Sequence, residues 1–286
     1  LKEMQDYIDA QYGGKGKGFF RLVTTPAEAR RVIADGKMAV VMGIEASETL
    51  NCGVHGYCSV ATIDAGLNEL YNLGIRGMFP AHKFDNQLSG AVLEDGFINI
   101  GEVLSTGHYY EAEPCSAETK GKSMTSGIPV VGQVPPISGL LGQVGVTPTY
   151  ENSNDLCNWR GLTEKGVYLV NRMIDLNMII ELDHLSDKAA KQVMDIVDAR
   201  HYSGVVSSHS FMRPAKDGGI HNDFQRMLNA GGFAAHYGNG AEGARTNYKQ
   251  YLDAVKKTPY LPAVGIGSDM SGLGGQPGVR SNAASD

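Results

Sequence analysis

The most regular feature of the chain is an alternation of short apolar runs with amphipathic segments. Continuous apolar runs of this length predict strands that are buried on both faces. Helix signals lie between them: Thr25 caps a helix that begins at Pro26, with Glu28 completing a capping box, and Gly74 ends a helix over about 61–73. Seven strands are predicted, at Phe19–Thr24, Met38–Ile44, Ile75–Ala81, Met178–Asp183, Gly204–Ser208, Gly232–Ala235 and Ala263–Ser268.

Strands that alternate with helices predict a parallel sheet with helical crossovers. Neither a GxGxxG nor a GxxxxGK[ST] motif is present, so the nucleotide-binding α/β folds have no support. We therefore expect an α/β fold, a (β/α)8 TIM barrel of the metal-dependent hydrolase type, as one domain over 1–286. Seven strands are one too few for it, and we expect the first strand to be the missing one, before Leu1. A stretch at about 83–160, rich in Gly, Ser, Pro and Thr, is expected to be a long irregular insertion.

Composition narrows the function classes. The 286 residues are 42% hydrophobic and 20% charged, as in an ordinary globular protein, and no apolar run approaches the length of a membrane span. A net charge of −6 without a basic cluster argues against nucleic-acid binding. No CxxC pair indicates a zinc ribbon or a redox site. Cys52 and Cys58 flank a short loop, and they either form a disulfide, which would indicate a secreted or extracytoplasmic protein, or remain free buried thiols.

Residues able to bind a metal follow six of the seven predicted strands. All strands of a parallel barrel end at one rim, where the active site of such a barrel is built. Imidazole and carboxylate groups are ligands of zinc, and a glutamate can bridge two ions that activate water and polarise a carbonyl. No GxSxG elbow offers a competing hydrolase site. The six residues are Glu45, His82, His184, His209, His236 and Asp269.

Each of these residues also has a structural interpretation. His184 in LDHLS and His209 in SSHS could be hydrogen-bonded structural histidines, and His236 in AAHYGNG could belong to a loop exit. Asp183 either supports a ligand or begins the next helix. A buried Glu45 would be costly unless a metal or a cation pairs with it. We expect the remaining histidines to be solvated surface residues, namely His55, His108, His201 and His221.

Five sequence blocks resemble the membrane (renal-type) dipeptidase family of the amidohydrolase superfamily. They are AVVMGIEASE, LYNLGIRGMFPAH, GLTEKGVYLVNRMIDLNMIIELDHLSD, GVVSSHS and AVGIGSDMSG, and they cover most of the chain outside the insertion. The resemblance implies a binuclear zinc enzyme in which Glu45 bridges the two ions. It further implies that His184 and His209 complete the second metal site. Asp269 would bind the first ion and shuttle a proton, and His82 would stabilise the tetrahedral intermediate.

The chain departs from the family pattern in three places. The His-x-Asp pair that the family uses for the first ion is not found in Leu1–Thr25, which either truncation of the chain or genuine loss would explain. Family members hold the substrate carboxylate with an arginine after the second ligand histidine, and Arg213 is the candidate here. His236 is a further candidate for substrate binding. The loop MFPAHKFDNQLSGA differs from that of the peptidases, which indicates a divergent branch and leaves open a substrate other than a dipeptide.

The leading functional hypothesis is a metal-dependent hydrolase of amide or peptide bonds in small substrates, dipeptidase-like and using a metal-activated water. A lactone or ester hydrolase on the same scaffold is the first alternative. A bridging lysine would favour it, and Glu45 occupies that place. The second alternative is a catalytically silent barrel that serves as a binding module in a larger secreted protein. The expected partner is a small molecule or short peptide, while a homodimer and a place in a multidomain protein remain open.

Overall fold

A computed structural model describes residues 1–116, 121, 123–124, 150, 154–209, 223–236, 240–261 and 263–269. The helices are α1 (Lys2–Gln11), α2 (Pro26–Ala34), α3 (Val60–Asn72), α4 (Phe97–Thr106), α5 (Glu164–Asp175), α6 (Asp187–Ala199), α7 (Phe224–Asn229) and α8 (Gly240–Val255). The strands are β1 (Phe20–Leu22), β2 (Met38–Val40), β3 (Met42–Ile44), β4 (Ile75–Met78), β5 (Ala112–Pro114), β6 (Leu156–Asn158), β7 (Ile179–Glu181), β8 (Val205–Ser207), β9 (Phe233–His236) and β10 (Val264–Ile266).

Side-chain caps fix where several helices begin. The Thr25 side chain accepts a hydrogen bond from the Glu28 amide, and the Glu28 carboxylate accepts one from the Thr25 amide, which confirms the predicted capping box at the start of α2. Ser59 caps α3, Thr163 caps α5 and Ser186 caps α6, each accepting from an amide in the first turn. Such caps satisfy amides that have no partner within the helix, and they fix the residue at which each helix begins.

The strands confirm the predicted α/β class. Six of them form one parallel sheet in the order β10-β9-β8-β7-β4-β3, and β1 pairs in parallel with β2. Both β2 and β3 lie within the apolar run Met38–Ile44 and are separated by Val41 alone, so the run connects the two sheets. Each of the seven predicted strand regions therefore contains a parallel strand.

The positions of Glu45 and Asp269 show that the sheet is strongly curled. Glu45 follows β3 and Asp269 follows β10, the two outer strands of the six-stranded sheet. Five strand spacings would separate them by about 24 Å in a flat sheet, yet their ligand atoms lie within 4.8 Å of each other. Among the described residues no hydrogen-bonded pairing joins β10 to β1 or β3, so the closed eight-stranded barrel and its additional first strand remain predictions.

The insertion is more ordered than its composition predicts, and the expectation of a wholly irregular segment is wrong. It contains α4 and an antiparallel pair, β5 and β6, beside a disulfide between Cys115 and Cys157. A small second core of Leu93, Tyr110, Met124 and Leu156 holds these pieces together. We call β5, β6 and the adjacent disulfide the neck of the insertion.

The main core lies between the parallel sheet and the helices that cover it. Full burial of a large apolar side chain contributes about 1.5–3 kcal/mol. Fully buried members of this core include Ile63 and Leu67 of α3, Leu169 and Met173 of α5, Val193 and Val197 of α6, and Ile180 of β7.

None of the helices in the described part of the chain is long and apolar enough to cross a membrane.

Candidate metal centre

Four of the predicted ligands converge at the carboxyl ends of the parallel strands. Glu45 follows β3, His184 follows β7, His209 follows β8 and Asp269 follows β10. One ligand atom from each of these side chains lies within 4.8 Å of the other three. The curl of the sheet thus brings together residues that are far apart along the chain.

Most of the close separations within this cluster fall in the range that ligand atoms of a zinc site span. Glu45 Oε1 lies 3.3 Å from His184 Nε2 and 3.7 Å from His209 Nε2, and His209 Nε2 lies 4.0 Å from Asp269 Oδ2. Zinc binds imidazole and carboxylate ligands at about 2.0–2.2 Å, so neighbouring ligand atoms in a zinc site lie about 3–4 Å apart. The two histidine Nε2 atoms are closer, at 2.8 Å. Two imidazoles and two carboxylates also form a donor set typical of zinc.

His82 stands beside this cluster, in contact with two of its members. Its Nε2 lies 3.4 Å from Glu45 Oε1, and its ring meets the His184 ring edge-on, with 4.4 Å between the centroids. Burial, reinforced by the neighbouring His184, lowers the pKa of His82 to about 4. The imidazole is therefore neutral at pH 7, with one N–H to donate.

The two ligand histidines are buried, whereas the two carboxylates are partly open. The His184 and His209 side chains are enclosed and pack beside the Phe79 ring, while the Glu45 side chain is 32% exposed. Burial opposes ionisation of Glu45, but the hydrogen bond with His184 and the electrostatic attraction of the neighbouring histidines hold its pKa below the ordinary value. A carboxylate that stays ionised suits a cation ligand that substrate must also reach.

Asp183 contacts and orients the candidate ligand His209. Support of a ligand is one of the two roles predicted for Asp183. The carboxylate is fully buried and accepts hydrogen bonds from the Ser207 hydroxyl at 2.6 Å and from the His209 amide at 2.8 Å. Its Oδ2 also lies 3.7 Å from His209 Nδ1, to which the Ser208 hydroxyl is hydrogen-bonded. These contacts hold the ring with Nε2 toward the cluster, as second partners of ligand histidines do. The other interpretation is wrong, because Ser186 caps α6.

Two of the ligand residues have left-handed backbone. The φ angles are +66° at His184 and +52° at Asp269. This region is uncommon for residues other than glycine, and it is found most often where the surrounding structure imposes it at functional sites. The uncommon backbone at these two candidate ligands therefore supports a functional site at this rim.

Sequence reasoning missed Glu181, a carboxylate at the carboxyl end of β7. One oxygen accepts from Ser208, while Oε2 is buried without a hydrogen-bond partner in the described structure. Burial and the charge of Asp183 raise the pKa of Glu181 to about 8. The run MIIELD contained the signal. Every second residue of a strand lies on the same face, and Ile179, Glu181 and Asp183 are spaced in this way.

The remaining candidates divide into those that the structure places and those that it does not. His236 is the last residue of β9, one residue beyond the predicted strand end at Ala235, and its side chain lies outside the described residues, as do Arg213 and His221. His55 and His201 are exposed, as expected, whereas His108 is half-buried.

The curled parallel sheet and the histidine–carboxylate cluster at its carboxyl ends define an α/β protein with a candidate metal centre. A family model described as membrane dipeptidase (peptidase family M19) matches residues 145–219. This match contains the ligand candidates His184 and His209, and it confirms the resemblance to the membrane dipeptidases that the sequence motifs indicated. No curated protein matches the chain in sequence.

Several solved structures share low identity with the chain. A metallo peptidase from Rhodobacter sphaeroides, liganded with a phosphinate mimic of the dipeptide L-Ala-D-Ala, is 18% identical, with a TM-score of 0.49 over 88% of this chain and 56% of that one. Dipeptidase AC, a metallo peptidase of family M19, is also 18% identical, with a TM-score of 0.49 over 88% and 58%. An amidohydrolase from Pseudomonas aeruginosa is 11% identical, with a TM-score of 0.48 over 93% and 58%. The chain thus spans a little over half the length of these proteins.

Proposed function

We propose that this chain carries the metal centre of a hydrolase that cleaves an amide or peptide bond in a small, dipeptide-like substrate. The observation that carries the proposal is the convergence of Glu45, His184, His209 and Asp269 within 4.8 Å, from four separate strand ends. The family match over residues 145–219 supports the choice of peptide-like substrates. Zinc is the proposed metal, because the donor set and spacing suit it.

Zinc ions at such a centre lower the pKa of bound water and polarise a substrate carbonyl. Glu45 is the proposed bridge between two ions, with His184 and His209 binding one of them and Asp269 the other. A second ion needs ligands beyond these four. The resemblance assigns that role to a His-x-Asp pair, which Leu1–Thr25 does not supply.

The chain's own groups supply the proton chemistry in this proposal. The Asp269 side chain is 26% exposed, so it can accept a proton from the attacking water and pass it to the leaving amine. Neutral His82 donates its N–H to the oxygen of the tetrahedral intermediate. Arg213 is the proposed partner of the substrate carboxylate, and His236 is a second proposed substrate contact.

We further propose a secreted or extracytoplasmic location. All four cysteines are paired, Cys52 with Cys58 and Cys115 with Cys157. Of the two alternatives left open for Cys52 and Cys58, the structure therefore has the disulfide. Structural disulfides persist in oxidising compartments and are rare in a reducing cytosol.

Metal analysis combined with a substrate panel tests the proposed activity. The purified protein is measured for zinc and for hydrolysis of dipeptides, N-acyl amino acids and a lactone. We expect bound zinc and cleavage of amide substrates. Loss of a residue that supports a metal ligand typically costs about 10- to 100-fold in activity. Glu45→Gln and His184→Ala alter proposed ligands themselves, so we expect a larger loss of activity. His201→Ala, a change at an exposed histidine, is the control and should behave as wild type.

The same experiment distinguishes the alternatives. A wild-type protein that takes up no zinc, even when zinc is supplied, would refute the hydrolase proposal and favour the silent binding module. Zinc binding with cleavage of the lactone alone would favour the lactone hydrolase.

A further inference from the structure

The buried side-chain amide of Asn86 joins the loops that follow β3 and β4. The Asn86 side chain is fully buried, and its Nδ2 donates to the carbonyl oxygens of Ser47 and Pro80, both at 2.9 Å. Ser47 lies two residues after Glu45, and Pro80 lies two residues before His82. The Asn86 side chain therefore helps to set the spacing between the loop with a proposed metal ligand and the loop with the proposed electrophilic histidine. The Thr49 hydroxyl, which donates to the Phe79 carbonyl, and the Lys83 amide, which donates to the Ser47 hydroxyl, join the same two loops.

The other end of the Asn86 amide fixes the turn in which the residue sits. Its Oδ1 accepts from the Leu88 amide at 2.8 Å and from the Ser89 amide at 2.9 Å. With two donated and two accepted bonds, all the hydrogen-bonding capacity of the side chain is used. Aspartate could not replace it, because a carboxylate has no N–H to donate.

The preceding residue, Asp85, holds Ala91, which contacts a third loop, the one that follows β7 and carries His184. Its carboxylate is buried, and Oδ1 accepts from the Ala91 amide at 2.8 Å and from Asn158 Nδ2 at 2.7 Å. The same Asn158 nitrogen donates to the Ala91 carbonyl at 2.7 Å. Ala91 is thus held on both its amide and its carbonyl.

Residues 90–92 in turn brace the backbone of His184. The Val92 amide donates to the His184 carbonyl at 2.8 Å, the Ser186 amide donates to the Gly90 carbonyl at 3.0 Å, and Ala91 forms an antiparallel bridge with Leu185. These bonds anchor the carbonyl of His184, whose φ is +66°, and the two residues that follow it. They supply the external constraint that an uncommon conformation requires.

We propose that the adjacent pair Asp85 and Asn86 are positioning residues of the metal centre. They set the relative places of Glu45, His82 and His184 through the backbone of three loops, and they touch neither metal nor substrate. The inference rests on the proposed metal centre. It assigns a role to the segment KFDNQLSGA, in which the sequence departs from the peptidase pattern.

Measuring zinc affinity distinguishes a positioning role of Asp85 and Asn86 from a merely structural one. The dissociation constant is measured by competition with a chromophoric chelator, and the unfolding midpoint is measured on the zinc-free protein. We expect Asn86→Ala and Asp85→Ala to weaken zinc binding by about 10-fold or more, as loss of supporting contacts around ligands does. Their cobalt-substituted forms should also show an altered visible absorption spectrum, which does not depend on activity. Asp85→Asn keeps the accepting oxygen and should retain near-wild-type affinity.

Asn99→Ala is the matched control. Asn99 is also a buried asparagine; it donates to the Tyr150 hydroxyl and accepts from the Tyr110 amide, so its own hydrogen bonds do not reach the loops that carry Glu45, His82 or His184. It should lower the unfolding midpoint of the zinc-free protein while leaving the zinc dissociation constant unchanged. If Asn86→Ala or Asp85→Ala does not fold, Asn158→Ala removes the clamp on Ala91 and decides the question in the same assay.

Affinity within about twofold of wild type in the folded Asn86 and Asp85 variants would overturn the inference, as would an equal loss in Asn99→Ala. A wild-type protein that binds no zinc would instead refute the proposed metal centre itself. The two failures are therefore distinguishable.

Discussion

Breaking the Cys115–Cys157 disulfide should destabilise the fold about twice as much as breaking Cys52–Cys58. The first joins residues 42 positions apart and the second joins residues 6 positions apart. The loss of loop-closure entropy in the unfolded chain gives about 4 kcal/mol for the long loop and about 2 kcal/mol for the short one at 25 °C. The longer cross-link should therefore contribute more, although it lies outside the main core.

Packing would obscure a simple comparison of cysteine variants, because Cys52 and Cys58 belong to the main core. Two double variants avoid this problem. In Cys52→Ala/Cys58→Ala, a reductant can break only the Cys115–Cys157 bond. In Cys115→Ala/Cys157→Ala, it can break only the Cys52–Cys58 bond. The difference in unfolding free energy with and without reductant then isolates each cross-link with side chains unchanged.

Urea denaturation followed by circular dichroism provides the measurement, with the slope of each transition checked for a shared unfolding mechanism. A larger loss of unfolding free energy on reduction of Cys52–Cys58 than on reduction of Cys115–Cys157 would refute the entropic reasoning. It would show that the insertion contributes little to the cooperative unit.

Three further predictions concern a buried acid, a helix cap and the metal. Burial and the nearby Asp85 raise the pKa of Glu102 to about 8, so its contribution to stability is present at low pH and is lost as pH rises toward 8. The melting temperature should fall less steeply between pH 5 and 8.5 in Glu102→Gln than in wild type, and equal slopes would contradict this assignment. Thr25→Ala should lower the unfolding free energy by about 1 kcal/mol in urea denaturation, while Thr25→Ser, which keeps the hydroxyl, should change little; equal loss in both would exclude the cap as the cause. With zinc at a hundredfold excess over its dissociation constant, a chelator should remove about 3 kcal/mol of stability from wild type and none from Glu45→Gln, measured by thermal unfolding; an equal effect on both would place the metal elsewhere.

The strands and the positions of the candidate ligands were predictable because both depend on local patterns. A buried parallel strand is a continuous apolar run in the sequence. The residue that follows it lies at the carboxyl end of the sheet, where barrel active sites are built, whatever the sequence elsewhere in the chain. For this reason Glu45, His184, His209 and Asp269 could be named from the sequence. Their mutual distances depend on the curl of the sheet, which no local pattern encodes.

The insertion and its disulfide could not be predicted, because both depend on distant pairing. The strands β5 and β6 are only three residues each and pair across a gap of about forty residues. Cysteine spacing does not determine connectivity, so Cys115 and Cys157 carried no signal for a bond. Asp85 and Asn86 were missed for a related reason: their partners are backbone groups of other loops, and a polar dipeptide within a loop has no periodicity.

The neck of the insertion has a consequence for how proteins of this kind can diversify. The antiparallel pair β5–β6 and the Cys115–Cys157 disulfide hold the two ends of the intervening segment side by side. Doubling the length of a flexible loop costs only about 0.6 kcal/mol. Segments of different length can therefore be exchanged at this point at a small entropic cost while Glu45, His184, His209 and Asp269 keep their positions, provided that Met124 and Tyr150 of the second core are retained. The neck is a natural junction for grafting, both in evolution and in the laboratory.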